Sequence, residues 1–178
     1  MNDFGTVLAP DTVRIERILP GPMERVWAYL TEADKRRTWL AGGDMELHNG
    51  GSVELVFHNN ALTDNDTPPP PKYEKYGGEI HSTGRILACD APRLLEFTWD
   101  EGPDDYSQVR FELSPHGDEV RLVLTHSRLA NRDAMISVSG GWHTHLGILA
   151  DRLAGRTPPG FWATHARVEA EYEQRIPR

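Results

Sequence analysis

The chain has 178 residues, 38% of them hydrophobic and 26% charged, which fits one globular domain with a real core and excludes a disordered chain. Its net charge is −8. So acidic a chain repels nucleic-acid phosphates and anionic lipid, and no local basic patch offsets that. The single cysteine, Cys89, rules out an intrachain disulfide and points to a reducing, cytoplasmic setting. No apolar stretch nears the ~20 residues of a membrane span, and the first residues lack the form of a secretion signal.

Residues 1–11 read as a lead-in. Alternation over Val13–Ile18 predicts a first strand, ended by Pro20-Gly21-Pro22. Val26, Trp27 and Leu30 sit at helical spacing in a short helix from about Met23 to Leu30. Thr31 is a candidate cap for a second short helix that carries Trp39 near its end. Asn49-Gly50 predicts a hairpin between Met45–His48 and Ser52–His58. Residues 59–77, with the run Pro68–Pro71, read as a long polar loop without periodicity. Strands follow at Gly78–Cys89, around Leu95–Trp99, around Val109–Leu113 and around Val120–Leu124. They are separated by turns at Asp90-Ala91-Pro92, Glu101–Asp105 and His116-Gly117-Asp118, which implies an antiparallel meander.

A long helix is expected from about Arg132 to Ala154, with Asn131 as N-cap and Gly155 as stop. Met135, Val138, Trp142, Leu146, Leu149 and Leu153 form its apolar stripe. Beyond Pro158-Pro159-Gly160 a second amphipathic helix carries Phe161, His165, Val168 and Tyr172 on one face. Each strand of the meander has one apolar face to cover, and the long helix alone has a matching stripe. The expected fold is therefore α+β: a curved antiparallel sheet around a long C-terminal helix, with a gap between them filled by side chains or left as a cavity.

Four segments carry a family resemblance. PMERVWAYLTEADKRRTWL (Pro22–Leu40), RLLEFTWD (Arg93–Asp100), VRLVLTHS (Val120–Ser127) and GWHTHLGILADRLAG (Gly141–Gly155) resemble, in order, motifs of domains homologous to the activator of heat-shock-protein ATPase. These domains have the START-like (SRPBCC, helix-grip) fold. The resemblance covers about residues 12–155 and implies a START-like domain there, with residues 156–178 as a helical extension seen in some bacterial members. It implies a cavity. It does not imply co-chaperone activity, which belongs to larger members with an additional N-terminal domain, for which this chain has no room.

Trp39, Phe57, Phe97, Trp99, Phe111 and Trp142 are the rings expected on the inner surface, as core or as cavity wall. With Met135, Val138, His145 and Leu146 they make up the candidate ligand-binding set. His143 and His145, two apart on a helix, point to different sides and do not suit one metal ion. His145 reads either as a hydrogen-bonded core histidine or as the polar group that orients a ligand. His143 is expected on the flank, solvated or against the sheet edge. Gly140-Gly141 in mid-helix implies either close backbone approach or room for a ligand. No catalytic residue, metal or cofactor is indicated: Gly-x-Ser-x-Gly and Gly-x-x-x-x-Gly-Lys are both absent. Three readings follow. The first is a binding domain for an apolar or aromatic small molecule. The second is a cyclase- or hydrolase-like enzyme using cavity groups such as His145 or Arg85. The third is a chaperone-partner or stress-response protein, monomeric or homodimeric.

Overall fold

Strand formation follows from alternation of more and less buried side chains, and the computed structural model, which describes residues 3–100 and 105–178, shows how those strands are joined. Seven strands pair antiparallel: β1 (Thr6–Ala9), β2 (Thr12–Pro20), β3 (Ser52–His58), β4 (Glu79–Asp90), β5 (Leu94–Trp99), β6 (Ser107–His116) and β7 (Glu119–Ser127). Their spatial order is β1-β2-β7-β6-β5-β4-β3, so consecutive strands are neighbours except where β2 closes on β7. Register puts like residues opposite each other: Ile15 faces Leu124, Phe111 faces Leu124 from the other side, and Phe97 faces Val109. These inward residues are almost wholly buried and share one core with Trp142, Leu146 and Leu149 of the long helix. Burial of such apolar surface is the main stabilising term of the fold.

Helices α1 (Met23–Thr31) and α2 (Ala33–Arg36) lie between β2 and β3; α3 (Arg132–Leu153) and α4 (Phe161–Arg175) follow the sheet. Asn131 caps α3 by accepting a hydrogen bond from the Ala134 backbone N–H. Gly155 adopts φ +71°, the left-handed conformation that a glycine suits at a helix end. Helix α4 packs against α3.

Four expectations need correction. The lead-in contains an edge strand, β1, because Val7 and Thr6 find ladder partners in Val13 and Arg14. Thr31 does not cap α2: it is the last residue of α1, and its hydroxyl donates to the Trp27 carbonyl, while Glu32 holds the cap position. Asn49-Gly50 does turn the chain, with Gly50 at φ +81°, but Met45–His48 forms only one isolated bridge to β3, Met45 to Val53, and no regular strand. Residues 59–77 are not a plain loop. They hold two short 3₁₀ turns, Asn59–Ala61 and Pro71–Tyr76, and are bonded to α4. The expected turn at Glu101–Asp105 lies, but for Asp105, outside the described residues.

One buried group organises the segment between the first helices and β3. Arg36 is 1% exposed. Its guanidinium donates to the carbonyls of Leu30, Thr31, Ala41, Gly42 and Gly43. Burial lowers its pKa to about 10, so it stays cationic at neutral pH. It ties the end of α1 to the chain that carries Trp39. Arg36→Met leaves these carbonyls without their donor. It is expected to destabilise the protein by roughly 2–4 kcal/mol, read as a fall in denaturant midpoint at unchanged slope.

Candidate functional site

A straight helix cannot follow a curved sheet along its whole length, and beside α3 the two surfaces part. The space between them is a cavity of about 680 Å³. The sheet contributes Phe57 from β3, Ile80 and Ser82 from β4, and Trp99 from β5. Helix α3 contributes Ser137, Val138, Gly141, Trp142 and His145; α4 contributes Phe161, Trp162 and His165. Lys72, Tyr73 and Tyr76, from the second 3₁₀ turn, stand at its side.

Of the candidate set, Phe57, Trp99, Val138, Trp142 and His145 lie on this wall. Trp39, Phe97, Phe111, Met135 and Leu146 do not, and each has a packing reason. Trp39 is completely buried and its indole N–H donates to the Tyr29 carbonyl at 2.7 Å. Phe97 and Phe111 stack in the middle of the sheet, where α3 does reach it, with centroids 6.3 Å apart. Leu146 is fully buried in the same core. Met135 turns to the other side of α3, into a separate apolar cluster with Val13, Val168 and Tyr172. Arg85 is not on the wall; its guanidinium lies over the Tyr106 ring, 5.0 Å from the centroid.

The rings at the cavity are held in place by polar bonds. Trp142 donates its indole N–H to His126 Nδ1 at 2.9 Å, and His126 Nε2 meets Ser107 Oγ at 2.7 Å. Trp99 packs on Trp142 with centroids 5.0 Å apart. His126 continues the Val120-Leu122-Leu124 alternation on β7, and that parity is the signal by which the sequence marks it as inward. His145 Nδ1 donates to the Trp39 carbonyl at 2.8 Å. His143 faces away from the cavity, half-buried, with its Nδ1 3.0 Å from the Tyr172 hydroxyl.

A polar cluster at one side of the cavity was not legible in advance. The Tyr73 hydroxyl donates to Glu169 Oε2 at 2.5 Å, and Lys72 Nζ donates to Glu169 Oε1 at 2.7 Å. His165 Nδ1 sits 3.6 Å from Glu169 Oε2. Tyr73 also stacks on Trp162, with ring centroids 5.8 Å apart. Burial pulls the Glu169 pKa upward, but the bonds from Lys72 and Tyr73 outweigh it and leave the group below the ordinary carboxylate range. Burial, with the bond to Glu169, raises that of Tyr73. At the start of α4, Asp66 accepts from the backbone N–H of Trp162 and Ala163, and Thr63 Oγ accepts from that of Phe161. The 59–77 segment is thereby stitched to α4, and both flank the cavity.

The two glycines have separate explanations. A Cβ on Gly140 would lie 3.4 Å from Glu169 Cβ, at ordinary contact distance, so Gly140 stands where α3 and α4 pack together. A Cβ on Gly141 would meet nothing within 4 Å, and Gly141 is on the cavity wall.

His126 and His145 are buried and neutral. Burial lowers the His126 pKa to about 3. Burial lowers that of His145 to about 4, against the opposing pull of the Trp39 carbonyl. Above pH 7 each is neutral folded and unfolded, so neither penalises folding. Below about 6.5 the unfolded chain takes up protons that the folded chain refuses, and stability falls until the folded pKa is reached. Each should subtract about 2 kcal/mol between pH 7.5 and pH 5. Denaturant unfolding at the two pH values checks this; equal stability at both would contradict the burial of two neutral imidazoles.

The comparisons with known proteins agree with this architecture. Residues 20–154, more than half of the chain, match the family described as Activator of Hsp90 ATPase homolog 1-like protein. A Bordetella parapertussis protein solved by solution NMR is 48% identical, with 99% of this chain and 92% of that one covered at a TM-score of 0.82. The crystal structure of CalU16 from Micromonospora echinospora is 21% identical over 92% of this chain and 86% of its own, with a TM-score of 0.67. A conserved protein of unknown function from Enterococcus faecalis is 20% identical over 96% and 89%, also with a TM-score of 0.67. The last two show likeness of fold alone. No curated protein gives a significant match. Among the described residues no helix is long and apolar enough to cross a membrane. A helix-grip sheet, a long C-terminal helix and the match over residues 20–154 lead to one assignment: the chain belongs to the Activator of Hsp90 ATPase homolog 1-like family, which supports a ligand-binding domain.

Proposed function

We propose that this protein holds an apolar or aromatic small molecule in the cavity between α3, α4 and the β3–β5 side of the sheet. The observation that carries the reading is the void itself. About 680 Å³ is left open beside Phe57, Trp99, Val138 and Trp142, within the usual range of small-molecule sites. Leu146 and Leu149 on α3 are fully buried in the core, so the gap is local, and two of the large rings on its wall, Trp142 and Trp162, are held by hydrogen bonds. Gly141 supports the reading, because a helix-weakening residue stands where any side chain would project into open space.

A second reading draws on the polar groups that reach the same void. Tyr73, Ser137, His145 and His165 converge there, as a cyclase- or hydrolase-like enzyme would require. It predicts chemical change in a bound ring compound; recovery of unaltered compound after prolonged incubation, by mass spectrometry, counts against it.

Screening a lipid and aromatic library by thermal unfolding tests the first reading. A compound at about 100 times its Kd should stabilise the fold by about 2.7 kcal/mol. Replacing Gly141 separates cavity from core. Gly141→Ala should raise stability by up to about 1 kcal/mol, since alanine favours the helix and its methyl meets no obstacle. Gly141→Leu should fold and lose the compounds that stabilise the parent protein. Undiminished binding by a folded Gly141→Leu variant would place the ligand elsewhere.

A further inference from the structure

His145 has the features of a hydrogen-bond acceptor presented to the cavity. Its Nδ1 bonds to a carbonyl oxygen, that of Trp39, at 2.8 Å, and a carbonyl only accepts. The ring proton of a neutral imidazole is therefore on Nδ1, and Nε2 carries a lone pair. Among the described residues no group donates to Nε2. Nor is it sealed away: the unpartnered side-chain atoms buried from solvent are Asn59 Oδ1, Ser139 Oγ and His165 Nδ1. Nε2 is not one of them, although the residue as a whole is only 6% exposed. The open space beside His145 is the cavity.

We infer that the ligand carries a hydroxyl on its apolar ring body, and that this hydroxyl donates its proton to His145 Nε2. The inference rests on the cavity being a ligand site. Three chemical classes separate. A bare or alkylated ring fills the space but leaves the lone pair without a donor, at the loss of a hydrogen bond in a site poor in water. A carboxylate brings its own lone pairs against Nε2 and offers no proton. The ring does not rescue it by becoming imidazolium, because burial holds His145 neutral down to about pH 4. Of the two lysines on the wall, Lys72 is already bonded to Glu169, and Lys75 stands over the Tyr76 ring, 5.0 Å from its centroid. A hydroxyl satisfies Nε2 with no charge to bury. Its ring then lies by Trp142, three residues earlier on α3, and Phe161, whose centroid is 4.9 Å from that of His145.

The experiment compares 2-naphthol, 2-methoxynaphthalene and 2-naphthoate, which share a ring system and differ in one group: a donor, the same oxygen without its proton, and an anion. Dissociation constants come from indole N–H shifts of the ¹⁵N-labelled full chain at pH 7. 2-Naphthol is expected to bind on the order of fivefold more tightly than 2-methoxynaphthalene, and 2-naphthoate more weakly than 2-naphthol. In His145→Asn the side-chain amide can still donate to the Trp39 carbonyl, but no acceptor stands at the Nε2 position. There the ratio of naphthol to methoxynaphthalene should collapse to about one. In His145→Gln, whose amide oxygen can take the Nε2 position, the preference should return in part. Equal binding of naphthol and methoxynaphthalene by the parent protein overturns the inference, whether or not the variants fold. So does tightest binding of 2-naphthoate, or a preference unchanged in a folded His145→Asn. Failure of all three to bind removes the cavity reading itself and this inference with it.

Discussion

A curved sheet and a straight helix can share only part of their length, and the placement of that mismatch decides what this molecule has to offer. Where β5, β6, β7 and β2 meet α3, side chains interlock: Phe97, Phe111, Leu122, Leu124, Leu146 and Leu149 are buried in a single cluster. Toward β3 and β4 the sheet turns away. The chain fills that side only in part, with α4 and the 59–77 segment, and the remainder is the cavity. Core and site are thus two portions of one interface, and the same stripe of α3 serves both.

Polar bonds fix the boundary between them. Trp142 sits at the junction, with Phe111 on its core side and Trp99 on its cavity side. Its indole nitrogen is tied to His126, which is completely buried. Trp39, behind the cavity, supplies the carbonyl that orients His145. Arg36, three residues earlier, bonds to the backbone on both sides of that turn, at Leu30 and Thr31 and at Ala41 to Gly43. A chain of buried donors and acceptors therefore runs from the helix–turn segment to the cavity wall. Such groups are costly to leave unmet, and they restrict the rings to one arrangement more than apolar contact alone would.

The C-terminal helix is part of the site as much as of the fold. Phe161, Trp162 and His165 line the cavity although they follow the long helix that defines the grip. Their position depends on residues about a hundred places earlier: Asn60 accepts from the Trp162 indole, and Asp66 and Thr63 cap the helix start. Glu169 gathers Lys72 and Tyr73 of the same segment. Glu169 and Lys72 are charged, Tyr73 adds a short bond from its neutral hydroxyl, and together they keep that wall in place at neutral pH.

The sequence by itself determined the periodic parts. Alternation marked β2, β3 and β5 to β7, a strand was read at β4, the i, i+3, i+4 stripe marked α3 and α4, and Asn131 and Gly155 marked the ends of α3, because those signals are local and each residue carries its own share. It also put Phe57, Trp99, Val138, Trp142 and His145 on the inner side. It could not separate them from Trp39, Phe97, Phe111 and Leu146, since facing inward is a matter of period whereas facing a void depends on how far the sheet has curved away at that point; Met135, at the start of the stripe, was claimed instead by the cluster that α4 builds on the other side of α3. Tyr73 and Glu169, which no period links, met only through the crossing of a loop and a helix. The same holds for the glycine pair: the sequence showed two weak helix formers side by side, and only the tertiary structure set α4 beside one and open space beside the other.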